Sequence, residues 1–208
     1  MTKSATKHHG GIKREQILDA ALGIIAQNGV KTLTPTAIAG EIGITEATLH
    51  RHFTNEDEIL SETVGRIGAE LMKNLDYIYD SDPSVVVSLK RFFILHLDYI
   101  KANMGIVRLV FSGGIFMAGE GLREKVSEVV DTYSTELEAL IQHGKKTGAI
   151  GHVVDPAAAA SMLIGMVLAM TLKWSLNGYS FSLVNEGMKL WRNYEEYLTS
   201  GILRTQPS

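Results

Sequence analysis

From Arg14 onward the apolar side chains recur at spacings of three to five residues, and no stretch alternates in twos. Such a period lines up one face of an α-helix and cannot line up one face of a strand. The chain is therefore expected to be all-α, with about nine helices. Ile17, Ala20, Ala21, Ile24 and Ile25 stripe a first helix that Asn28-Gly29 ends, since both residues tolerate the left-handed conformation of a helix stop. Thr34-Pro35 reads as N-cap and first turn of a short second helix carrying Ile38 and Ile42, stopped at Gly43. Thr45 caps a third helix holding Leu49 and Phe53. Asn55 caps a fourth, with the stripe Leu60, Val64, Ile67, Leu71, Leu75 and Ile78. Glu56, Asp57 and Glu58 fill its first turn, where the helix dipole favours negative charge.

Past Asp82-Pro83 the same logic continues. Leu89, Phe93, Leu97 and Ile100 mark a long helix closing near Asn103-Met104-Gly105, and an apolar run from Ile106 to Phe111 leads into a Gly-dense stretch. Val126, Val129, Tyr133, Leu137 and Leu140 mark another helix, expected to end before Gly144. Asp155-Pro156 opens an Ala- and Met-rich helix to Leu176, and a last one carries Met188, Trp191, Tyr194, Leu198 and Ile202. The expected organisation is a flexible arm at 1–12, a three-helix head at 13–55, a linking helix at about 56–80 and a helical bundle over 81–208. Residues 156–172 are uncharged, which approaches the ~20 residues needed to span a bilayer. Their alanines, their Ser and Thr, and the tight flanking charges Asp155 and Lys173 fit a helix buried in protein better, so no membrane partner is expected.

The second and third helices, broken at Gly43-Ile44, form a helix-turn-helix. Ile38, Ile42, Ile44 and Leu49 lock the pair, which leaves Thr45, Glu46, Thr48, His50, Arg51 and His52 on an uncovered face. These are groups that meet phosphates and base edges, whereas a merely soluble face mixes Lys with Glu. Any three-helix bundle can mimic the pattern alone. The residues from Arg14 to Leu60 carry more: Ile17, Ala20-Ala21, Gly29, Thr34, Ile38-Ala39, Gly43-Ile44-Thr45, Leu49-His50-Arg51-His52-Phe53, Asn55 and Ile59-Leu60. In these the chain resembles the TetR family of transcriptional repressors. The resemblance implies a homodimer, a palindromic double-stranded DNA operator read by paired third helices, and release by a small molecule bound in the C-terminal part. It also implies pairing through the last two helices, at about 156–177 and 183–203. The family usually has Tyr at His50 and Lys at Glu56, so the second substitution puts one phosphate contact in question.

On that frame Arg51 and Thr48 are expected at base edges, Thr45, His50 and His52 at phosphates, and Glu46 at a cytosine amine. Lys13 and Arg14, with Lys3 and Lys7 on the arm, could reach the backbone or minor groove. An apolar or amphipathic effector would meet Phe92, Phe93, His96, Tyr99, Phe111, Phe116, Met117, Met162, Met166, Met170 and Trp174. The stripe Met162, Met166, Met170 also fits plain core or a subunit seam. A second reading keeps the helical ligand-binding dimer as a scaffold with weak or no specific DNA binding, prompted by Glu56.

Catalytic and metal chemistry find little support. With no cysteine there are no thiol nucleophiles and no cysteine zinc sites, and the seven histidines lack paired-ligand spacing. No strand precedes a Gly-rich loop, so nucleotide cradles fail. Neither an enzyme nor a cofactor is expected. Residues 1–12 are polar, without the apolar core of a secretory signal, which makes the cytoplasm the expected compartment. The net charge of −3 hides a division: residues 1–53 carry +2 and the remainder −5.

Overall fold

A computed structural model describes residues 14–79, 84–111 and 119–202, the side chains of 76–79 excepted. Over these residues it contains helices and no strand. The elements are α1 (Arg14–Asn28), a 3-10 turn (Val30–Thr32), α2 (Pro35–Ile42), α3 (Glu46–Leu49), α4 (Glu56–Tyr79), α5 (Val85–Ala102), α6 (Met104–Phe111), α7 (Glu120–Lys146), α8 (Pro156–Leu176) and α9 (Leu183–Thr199). The expected arm with Lys3, Lys7 and Lys13, the Asp82-Pro83 break, and Phe116 and Met117 lie outside the described residues.

The start signals act as the sequence indicates. Thr34 Oγ1 accepts from the Ala37 N–H at 3.1 Å, Thr45 Oγ1 from Thr48 at 3.2 Å, Asn55 Oδ1 from Glu58 at 2.9 Å and Asp155 Oδ1 from Ala158 at 2.7 Å. Each satisfies a donor that its helix leaves orphaned, worth about 1 kcal/mol. Gly43 ends α2 at φ +69°, a left-handed position that costs a side-chain-bearing residue more.

Three ends differ from expectation. α3 closes at Leu49, and the chain tightens through His52 N–H to Leu49 C=O at 2.8 Å, so Phe53 follows the helix and is buried beneath it. α7 runs through Gly144 to Lys146. There the glycine answers a demand for space, since a Cβ would lie 2.7 Å from Ile150 Cδ1. α9 stops at Thr199, which leaves Ile202 outside it and partly exposed.

The buried side chains fall into two clusters. In the upper one α5 is central: Leu89, Phe92, Phe93 and Leu97 are enclosed by α7, α8 and α9. Trp191 of α9 is fully buried there beside Phe93, and Trp174 of α8 donates its Nε1–H to the Phe181 carbonyl at 3.0 Å. α8 is long and apolar enough to cross a membrane, but it turns Leu163, Val167, Met170 and Trp174 into this core. The lower cluster gathers Ile17, Ile25, Ile38, Leu49 and Phe53 of the head and is completed by Ile59 of α4, Ile106 and Leu109 of α6 and Leu122 of α7. The divisions at 55 and 81 are thus bridged by side chains.

Candidate DNA-binding face and apolar cavity

Leu49 and Phe53 point into the lower core at 1% and 2% exposure, which turns the intervening residues outward. Thr45, Glu46, His50 and Arg51 are exposed, and Thr48 and His52 are half-buried. The hydroxyls of Thr45 and Thr48 lie 3.0 Å apart, and Arg51 Nη2 donates to Thr48 Oγ1 at 2.9 Å. The stretch from Thr45 to His52 therefore presents hydroxyls, imidazoles and a guanidinium, the donors that meet phosphates and guanine edges. Glu46 is engaged across the turn: its Oε1 accepts from Thr36 Oγ1 of α2 at 2.6 Å.

Arg14, expected to reach toward DNA, stays exposed but is engaged by its own chain. It pairs with Glu58 and Glu62 of α4, donates to the His52 carbonyl at 2.5 Å and lies 4.1 Å over the Phe53 ring. The hydrogen bond to Glu62 raises its pKa further above the usual arginine value. Glu58 accepts from the Thr54 N–H at 2.6 Å, and that bond, with the Arg14 charge behind it, holds its carboxyl below the usual range. Arg66 of α4 reaches Asp19 at 2.7 Å and Glu15 at 3.2 Å on α1. Two arginines thus fix α1, and with it the α2–α3 pair, to α4.

Above the head, α4 to α8 line a cavity of about 350 Å³ that opens to the surface beside Val130 and Leu168. His96, Tyr99 and Phe111 line it as expected. Phe92, Phe93, Met170 and Trp174 are instead packed into the upper core, Met166 lies against its edge, and Met162 faces outward at 46% exposure. The unexpected lining comes from Val64 and Ile67 of α4, Val126, Val129 and Tyr133 of α7, and Ile164, Val167 and Thr171 of α8. Periodicity had placed most of these on buried stripes; it carries no signal for which stripes face a void.

The cavity's polar groups sit mainly at one place. His96 Nδ1 and the Tyr133 hydroxyl are 2.5 Å apart, each ring edge-on to the other. Burial lowers the His96 pKa to about 4 and lifts that of Tyr133 well above 10. The imidazole is therefore neutral at physiological pH. Tyr99 lines both this cavity and an outer cleft of about 570 Å³ that Glu15, Asp19, Arg66 and Glu70 share. No group of three or more His, Asp or Glu side chains able to hold a metal occurs among the described residues.

α6 joins the cavity to the head. Val107, Val110 and Phe111 line the cavity, while Arg108 Nη1 donates to the Gln27 carbonyl at the end of α1 at 2.7 Å. At Gly105 the two helices come so close that a Cβ would lie 2.5 Å from the Leu22 carbonyl oxygen.

Comparison with known proteins agrees with this architecture. Residues 17–63 match the bacterial regulatory proteins of the tetR family, and residues 69–193 match the C-terminal region of YsiA-like protein. The fatty acid metabolism regulator protein of Bacillus subtilis is 26% identical over 195 residues, covering 91% of this chain and 95% of its own. The nucleoid occlusion factor SlmA of Vibrio cholerae is 24% identical over 156 residues, 74% of this chain and 80% of that protein. Among solved structures, FadR from Bacillus subtilis in complex with stearoyl-CoA superposes with a TM-score of 0.77 at 23% identity, over 91% of this chain and 100% of that one.

Proposed function

This chain belongs to the tetR family of bacterial regulatory proteins, and from that premise we propose that it represses transcription as a homodimer, gripping a two-fold operator until an apolar effector fills the cavity. It is a DNA-binding, ligand-responsive transcriptional regulator and not an enzyme. Such a regulator works where the chromosome is, in the cytoplasm. The observation that carries the reading is α6, which lines the cavity and is also pressed against α1 at Gly105. An occupant that displaces α6 must displace α1, and α1 carries the α2–α3 pair. In this reading Arg51 and Thr48 meet base edges, and Thr45, His50 and His52 meet phosphates. Glu46 accepts from Thr36 through Oε1 and keeps Oε2 for a cytosine amine. The stearoyl-CoA bound to FadR supports an effector built on an apolar chain.

The subunits pair through α8 and α9. Met162, Leu172 and Leu176 lie on outward positions of α8, an apolar surface that a partner copy would cover. The test is titration of the protein onto DNA from its own upstream region, at several salt concentrations. Specific binding is expected, and Arg51→Ala should weaken it by about 1–3 kcal/mol, the value of one good base contact. Binding no tighter than to random DNA would favour the scaffold reading that Glu56 prompts.

A further inference from the structure

The cavity can be read for the chemistry of its occupant, an inference that rests on the proposal that an effector binds there. Its walls are almost wholly Val, Ile and Leu, and no Lys, Arg, Asp or Glu lines it among the described residues. Of its four polar side chains two are already accounted for. Thr171 donates to the Val167 carbonyl at 2.7 Å, and Tyr99 is shared with the outer cleft. What remains is the pair His96 and Tyr133, joined to each other through Nδ1 and the phenol.

Proton counting shows what that pair offers. If the phenol donates to Nδ1, the imidazole carries its proton on Nε2, and that N–H is spare. If Nδ1–H donates to the phenol oxygen, the phenol O–H is spare. Either tautomer leaves one donor for a third group, and no buried side-chain nitrogen or oxygen lacks a partner or access to space among the described residues. The site thus offers a hydrogen bond to one acceptor. It offers nothing to neutralise a charge, and a carboxylate moved into such surroundings without a counter-ion is strongly disfavoured. The volume of about 350 Å³ lies at the small end of the ~300–1,000 Å³ typical of small-molecule sites.

We infer that the effector is a small, uncharged apolar molecule bearing one carbonyl-type oxygen (a ketone, ester or thioester), whose oxygen is read by the His96–Tyr133 pair.

The test is calorimetric titration of the full chain with undecan-2-one, pentylbenzene and decanoate, probes of comparable size that differ in carrying a neutral acceptor, none, or a charge. The ketone is expected to bind about three- to tenfold tighter than pentylbenzene, the value of one hydrogen bond, and at least a hundredfold tighter than decanoate. In the double variant His96→Leu, Tyr133→Phe the ketone's advantage over pentylbenzene should vanish while pentylbenzene binding persists, which also reports that the variant folds. Decanoate binding as tightly as the ketone would overturn the inference, as would an advantage unchanged by the double substitution. Equal binding of all three probes would overturn it while leaving the cavity as the effector site. No binding by any probe would overturn both.

Discussion

His96 shows how far a single side chain can couple acid to stability. Its folded pKa of about 4 lies below the ordinary 6.5, so the unfolded chain binds the extra proton first. Stability that is full near neutrality is therefore lost as pH falls from 6.5 toward 4. At one pKa unit per ~1.4 kcal/mol, denaturant unfolding at pH 5 should give about 2 kcal/mol less than at pH 7. His96→Leu should flatten that difference. Glu58 works in the same direction at lower pH: its depressed carboxyl contributes above about 4.5 and is lost below. Glu56 is half-buried at the start of α4, and in the proposed reading its charge would oppose a DNA phosphate. Glu56→Lys should tighten binding to every sequence and steepen the dependence of log K on log salt by about one unit, measured by anisotropy on specific and random duplexes. At this scale the sequence showed that Leu49 and Phe53 are buried and that His50 and Arg51 between them are exposed. It did not show that Arg14 is turned onto Glu58 and Glu62, since that pairing spans more than forty residues.

Among elements, the caps at Thr34, Thr45, Asn55 and Asp155 were legible because they are local chemistry. The short α3, the passage of α7 through Gly144 and the lining of the cavity were not, because tertiary neighbours decide them. α6 is the element whose position matters most for signalling. Gly105→Ala places a methyl where the Leu22 carbonyl now sits, so α6 must move away from α1. Operator affinity should then fall in the absence of any effector, with a smaller further loss when an effector is added. Anisotropy titrations with and without undecan-2-one separate the two effects.

For the whole molecule, a charge of +2 over residues 1–53 against −5 over the remainder means few phosphate contacts per subunit. Useful affinity then depends on two heads bound at once. Leu172 lies on the outward stripe of α8 at 41% exposure and outside the cavity. Leu172→Glu should yield monomers by sedimentation and weaken operator binding by at least a hundredfold, while ketone binding per subunit persists. The division of the interior into two clusters has an optical consequence. Both tryptophans, at 174 and 191, belong to the upper cluster, and the lower one has none. Indole emission therefore reports the upper cluster, and far-ultraviolet dichroism reports all of the helices. Melting curves that coincide in the two signals mean the two clusters unfold as one, and a dichroism change that precedes the emission change means the lower cluster lets go first.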